Sequence, residues 1–174
     1  KIVLFGEGGV GKTSLALRLS KGIFLMKYDP TVEDCFRHHI VVDDESHMLE
    51  IIDTAGTDQF AIMRELYIKG GHGFILVFSL ISKTTFKEMD QYYSQVMSVK
   101  DEPNIPLVLV GNKCDLGNAR EVTEAEANEL AKKYNCPYIE TSTKDNINVT
   151  EVFECVVRQI HPKSKERPNT SKSI

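Results

Sequence analysis

Gly6-Glu7-Gly8-Gly9-Val10-Gly11-Lys12-Thr13 combines three features that suit one kind of ligand: closely spaced glycines, a lysine and a hydroxyl. A polyphosphate needs several backbone N–H donors converging on it, and glycines let the main chain wrap closely because no Cβ intervenes. Lys12 is placed to reach the outer phosphates, and the Thr13 hydroxyl to ligate Mg²⁺. The loop follows the apolar run Ile2-Val3-Leu4-Phe5 and leads into a helix-like segment, Ser14 to Ser20. A helix start adds partial positive charge at that point, so the strand–loop–helix order is the one phosphate binding requires. Glu7 is the odd residue. Facing inward it would repel phosphate, so an outward orientation is expected.

Asp53-Thr54-Ala55-Gly56 closes a second strand-like run. Ligands of open α/β sheets bind outside the carboxyl ends of strands. A carboxylate there can hold the Mg²⁺ shell, and the Gly56 N–H can touch a terminal phosphate. Asn112-Lys113-Cys114-Asp115 closes a third. Guanine presents two adjacent donors, N1–H and N2–H₂, and the Asp115 carboxylate can accept both. Adenine would leave that carboxylate mispaired, at a cost on the order of 1–3 kcal/mol. Asn112 is positioned to meet N7 and tie strands together, while the Lys113 stem packs on the ring face.

The rest of the chain supplies the frame. Strand-like runs alternate with helical patterns, the signature of a mostly parallel α/β sheet covered on both faces. Cys35–Val42 and Met48–Asp53 flank the turn-rich Asp43-Asp44-Glu45-Ser46 and read as the one antiparallel hairpin. Phe74–Phe78 and Leu107–Val110 read as buried strands, and Pro137–Ile139 as a short last strand. Phe86, Met89, Tyr93 and Val96 fall at helical spacing. Thr123-x-x-Glu126 is a capping box ahead of Ala127, Leu130, Ala131 and Tyr134. Val149, Val152, Phe153, Val156, Val157 and Ile160 form the cleanest amphipathic helix, which Pro162 stops. Residues 1–160 therefore read as one domain and 161–174 as a loose, lysine-rich tail.

Composition fits this frame. The 174 residues are 41% hydrophobic and 26% charged, ordinary for one water-soluble domain with a proper core. A net charge of −4 gives no reason to expect a nucleic-acid partner. Cys35, Cys114, Cys136 and Cys155 lack metal-site spacing and read as reduced thiols in a cytoplasmic protein. The adjacent His38 and His39 alternate across a strand, so they do not converge on one metal. No apolar run approaches the ~20 residues of a membrane span. The start on Lys1, without Met, reads as a trimmed N-terminus.

GEGGVGKT, YDPTVED, DTAGTDQF, NKCD and ETSTK, in this order, resemble the Ras family of small GTPases over residues 1 to about 160. That resemblance implies a three-layer P-loop G domain: a mostly parallel six-stranded sheet with one antiparallel edge strand and five flanking helices. It implies GTP/GDP as ligand with Mg²⁺, held by Thr13, Thr31 and Asp53. The implied nucleotide contacts are Gly6, Glu7, Gly8, Gly9, Val10, Gly11, Lys12, Thr13, Ser14, Phe24, Tyr28, Pro30, Thr31, Gly56, Asn112, Lys113, Asp115, Leu116, Ser142, Thr143 and Lys144. Phe24 resembles the aromatic edge-on to the base, Tyr28 the one covering the phosphates, and Ser142–Lys144 the base-bracing loop. Catalysis falls to Lys12, Thr31, Gly56 and Thr57. GTP would hold two switch segments through Thr31 and Gly56, and hydrolysis would release them.

Two departures from the family pattern matter. Thr57 stands where most members, Ras itself included, carry the glutamine that orients the attacking water. A threonine hydroxyl cannot present donor and acceptor together at that reach, so slow intrinsic hydrolysis is expected. Thr57 with Lys27, Gly-Thr-Asp-Gln-Phe and Met-Arg-Glu-Leu-Tyr-Ile-Lys resembles the Rap branch, where an activating protein supplies an asparagine in trans. Gln59 reads as switch surface and not as a replacement. Thr143 stands where the base-bracing loop normally has alanine, and its branched side chain is expected to quicken nucleotide exchange.

Partners follow from the same pattern. Asp29, Glu33 and Asp34 make the front of the Cys35–Val42 edge strand acidic and, with Thr31, suit it to effector domains that add a basic strand. The resemblance also implies an exchange factor and a GTPase-activating protein acting on a monomer. The family usually ends in a prenylated cysteine. This chain ends Ser-Lys-Ser-Ile, which reads as truncation, with membrane attachment (plasma or internal, cytoplasmic face) reserved for a lipidated full-length form. Two other classes fit the phosphate loop: a different P-loop enzyme such as a nucleoside kinase, and a nucleotide-bound interaction module without hydrolysis.

Overall fold

The computed structural model describes residues 1–22, 33–54 and 61–162. Six strands form one sheet: β1 (Ile2–Phe5), β2 (Glu33–Val42), β3 (Glu45–Thr54), β4 (Gly73–Ser79), β5 (Leu107–Asn112) and β6 (Tyr138–Glu140). Their order is β2-β3-β1-β4-β5-β6. β2 pairs antiparallel with β3, while the pairings of β3 with β1, β1 with β4, β4 with β5 and β5 with β6 are parallel. The antiparallel strand is thus an edge strand, as expected.

β1 shows why both faces must be covered. Ile2 and Leu4 point into a core layer with Leu15, Val152 and Phe153, while Val3 and Phe5 point into the opposite layer with Ile68, Met89 and Tyr92. Side chains alternate across a strand, so an unbroken apolar run needs a partner on each side. Helices α1 (Lys12–Lys21) and α6 (Val149–Ile160) supply the first layer. Helices α2 (Ala61–Gly70), α4 (Met89–Lys100) and α5 (Glu124–Tyr134) supply the second.

The sixth helix is the short α3 (Lys83–Lys87), separated from α4 at Glu88. The expected count of five flanking helices treats this stretch as one. The interruption is local: Gln91 N–H reaches Glu88 O, three residues back, at 3.2 Å, a tighter turn than the α-helical ladder makes. The apolar stripe also differs by one residue from expectation. Tyr92, not Tyr93, is buried between Met89 and Val96.

The β2–β3 connection is tighter than the four-residue turn expected. Asp43 (φ 51°) and Asp44 (φ 65°) both take left-handed backbone, the requirement of a two-residue type I′ hairpin, and pairing resumes at Val42 with Glu45. The capping box at Thr123 is present in both directions: Glu126 N–H donates to Thr123 Oγ1 at 3.1 Å, and Thr123 N–H to Glu126 Oε2 at 2.9 Å. Among the described residues no helix is long and apolar enough to cross a membrane.

Candidate functional site

Because β1, β3, β5 and β6 run parallel, their carboxyl ends lie at one edge of the sheet. Asp53, near the end of β3, lies there with residues 6–11, 113–119 and 141–147, which follow β1, β5 and β6. The nucleotide contacts expected from sequence that lie within the described residues therefore share one end of the molecule. Phe24, Tyr28, Pro30, Thr31, Gly56 and Thr57 lie outside the described residues, as do Lys27, Asp29 and Gln59. Glu33 and Asp34 open β2, at the sheet edge.

The phosphate loop is held close to its neighbours. Gly11 has φ 107°, a left-handed value that disfavours a side chain, and a Cβ there would lie 2.1 Å from Asn112 Nδ2. Helix α1 begins at Lys12, two residues earlier than its apolar pattern suggests, with Leu15 N–H donating to Gly11 O at 2.9 Å. Lys12, Thr13 and Ser14 thus occupy the first turn, whose N–H groups have no acceptor within the helix and point toward the loop.

Lys12 is only 5% exposed, and its Nζ donates to Gly6 O at 2.8 Å and Glu7 O at 3.0 Å. Burial pulls its ammonium down to about 8, with Asp53 and Glu7 acting the other way. A nearly buried cation whose hydrogen bonds go to neutral carbonyls favours an incoming anion. Thr13 Oγ1 donates to Asp53 Oδ2. The pair brings a hydroxyl and a buried carboxylate together at the carboxyl ends of β1 and β3, a hard-oxygen donor set that fits Mg²⁺.

Glu7 departs from expectation. It is half-buried and turned toward α4, where Tyr92 Oη donates to Glu7 Oε1 at 3.3 Å. Tyr92 carries no motif, so a motif scan passes over it. Its spacing of three and four residues from the buried Met89 and Val96 is the signal that could have found it.

The second half of the site hangs on Asn112, which is 1% exposed. Its Nδ2 donates to Val10 O at 2.9 Å, and its Oδ1 accepts from Thr141 Oγ1 at 2.9 Å. One amide therefore ties the phosphate loop, β5 and the loop after β6. Lys113 then adopts left-handed backbone at φ 70°, turning the chain into a short 3₁₀ segment, Cys114–Ala119. Burial lowers the Lys113 ammonium from its ordinary value, with Asp115 opposing. Leu116 is exposed on that segment.

Asp115 is positioned from the neighbouring loop. The fully buried Ser142 donates through Oγ to Asp115 Oδ1 at 2.8 Å and accepts from Asp145 N–H at 3.0 Å. Reciprocal backbone bonds between Ser142 and Ile147, at 3.1 and 2.8 Å, close that loop. Thr143 is buried and Lys144 exposed. Arg18 Nη2 of α1 donates to Lys144 O at 2.9 Å, so the helix that begins at the phosphate loop also anchors the base-side loop. Arg18 carries no motif, and Thr141 belongs to the ETSTK motif, although it is not among the expected contacts.

A cradle for a polyphosphate after β1, a hydroxyl–carboxylate pair beside it at the end of β3 and a carboxylate after β5 on the other side match a nucleoside polyphosphate with its cation. Comparison with protein-family models agrees: the Ras family model matches residues 1–162. Members of that family bind guanine nucleotide, generally with Mg²⁺, and are met by regulators and effectors. The match covers nearly the whole chain, which therefore belongs to the Ras family of GTP-binding small GTPases.

Proposed function

We propose that this chain is a signalling switch of the Rap type, cycling between GTP and GDP with very slow hydrolysis of its own. The observation that carries the nucleotide-binding part of this reading is the Asn112 amide, which ties the phosphate loop to the base-side loop, while the Rap type and the slow rate rest on Thr57 and the sequence around it. A nucleotide bridging the two ends is then recognised by its base and its phosphates at once.

In this reading the residues divide the work. The N–H groups of residues 8–13 and Lys12 bind the phosphates. Asp115, held by Ser142, accepts the two guanine donors, and Lys113 with Thr143 and Lys144 frames the ring. Thr13, Asp53 and Thr31 would hold Mg²⁺, which when bound neutralises charge on the β- and γ-phosphates. Thr31 and Gly56 report the terminal phosphate to segments on either side of the β2–β3 hairpin, and the acidic front of β2 receives a basic effector strand. In this reading the switch acts at the cytoplasmic face of a membrane.

Thr57 sets the rate. With no amide to hold the attacking water, the chain depends on an activator that brings its own. Single-turnover hydrolysis of GTP at saturating Mg²⁺ tests this. Thr57→Gln should raise the intrinsic rate by about tenfold or more, in the range expected for a positioned water, and a Rap-type activator should accelerate the wild type. A wild-type rate unchanged by both would overturn the reading. An interaction module without hydrolysis is the competing reading, and it requires no turnover even with activator.

A further inference from the structure

We infer that Tyr92 sets nucleotide affinity by holding the Glu7 carboxylate away from the phosphate groups, an inference that rests on reading residues 6–13 as a polyphosphate loop.

A carboxylate inside a phosphate loop is electrostatically opposed to its ligand, and where it is held decides how strongly. The main chain of Glu7 belongs to the loop, because its carbonyl accepts from Lys12 Nζ at 3.0 Å. Its charge is felt there too, since it helps offset the burial of the Lys12 ammonium. The same field that supports Lys12 works against an incoming phosphate.

Tyr92 is well suited to restrain that charge. Its ring is 4% exposed and lies against Phe5, the last residue of β1, with centroids 5.9 Å apart and planes 17° apart. The guanidinium of Arg64, on α2, sits 5.1 Å from the ring centroid. The hydroxyl is thus placed by a strand and a second helix, not by the loop itself. Burial, then the Glu7 charge, push its ionisation far above the ordinary tyrosine range, so it remains a donor at every physiological pH. At 3.3 Å the contact is long for a hydroxyl and a carboxylate, a restraint that a small movement of either element makes or breaks. Arg64 brings positive charge to the Tyr92 ring and acts on the tyrosine opposite to the Glu7 charge.

Glu7 and Tyr92 are therefore a positioning pair. Removing the hydroxyl frees the carboxylate to swing across the loop, and removing the carboxylate makes the hydroxyl irrelevant to the ligand.

The test is a double-mutant cycle read by dissociation of N-methylanthraniloyl-GDP in Mg²⁺, using Tyr92→Phe, Glu7→Gln and the double variant. Tyr92→Phe keeps the ring, and a urea melt of each variant reports folding. Tyr92→Phe alone should speed release by about tenfold, and the increase should shrink as salt is raised. In the Glu7→Gln background, Tyr92→Phe should change release less than about twofold. Equal acceleration in both backgrounds would assign Tyr92 a packing role and overturn the inference, as would no acceleration in either. Failure of the wild type to bind the guanine analogue at all would instead overturn the polyphosphate reading beneath it.

Discussion

The Asn112 side chain donates to Val10 O and accepts from Thr141 Oγ1, both at 2.9 Å, so one buried amide joins the phosphate loop to the base-side loop. Neither contact involves ligand. Removing the amide leaves a buried carbonyl and a buried hydroxyl without these partners, each costing about 1–3 kcal/mol. Asn112→Ala should therefore lower the urea midpoint even in nucleotide-free protein, by an amount equivalent to about 2–4 kcal/mol. Nucleotide release should quicken in parallel. An unchanged midpoint would mean the tie is not structural.

Gly11→Ala attacks the same junction from the other side. A methyl at φ 107° and 2.1 Å from Asn112 Nδ2 cannot be accommodated without moving the amide or the loop. Loss of nucleotide binding is the expected outcome in equilibrium dialysis, with Gly22→Ala as the comparison. Gly22 is also left-handed, at φ 67°, but a Cβ there meets nothing within 4 Å. If Gly11→Ala weakened binding no more than Gly22→Ala, strain alone and not crowding would be the cause.

Much of this site is legible in residue types and spacing. The strand–loop–helix order around Lys12 and the Asn112–Asp115 turn stand in the chain as contiguous signals, and buried parallel strands announce themselves as unbroken apolar runs. What spacing does not reveal is where side chains from distant segments meet. Ser142 holding Asp115, Arg18 reaching Lys144 O and Tyr92 facing Glu7 are contacts across 27, 126 and 85 residues of chain. Glu7 illustrates the difficulty: inside or outside could be weighed from charge alone, but a sideways orientation required knowing which helix packs beside the loop. The break at Glu88 is hidden for a related reason, because its backbone stays in the right-handed helical region and only the bonding pattern changes.

The Lys12 ammonium gives a pH dependence with a definite sign. Its native value of about 8 lies below the unfolded 10.5, so between these limits the unfolded chain binds more protons. Below about 8 the burial penalty is present in full, and it is relieved as pH rises toward 10.5. In nucleotide-free protein, the stability of wild type relative to Lys12→Met should thus climb across this window, by at most about 1.4 kcal/mol per pH unit. Chemical denaturation of both proteins at pH 7.5, 8.5 and 9.5 checks it; parallel curves would contradict it.

Thr143 is buried at 4% exposure in the loop that Ser142 closes, where its branched side chain occupies space that an alanine would leave open. Thr143→Ala should slow GDP release by a few-fold, about 2–5-fold, if relief of crowding is worth under 1 kcal/mol. Unchanged release would remove the idea that this residue speeds exchange.

Base selection by Asp115 is the centre of the account, and competition between GTP and ATP for the Mg²⁺-loaded protein tests it most directly. Equilibrium binding should favour GTP by at least tenfold, the discrimination expected when one nucleotide satisfies a partly buried carboxylate and the other does not. Equal affinity for the two, or preference for ATP, would contradict it.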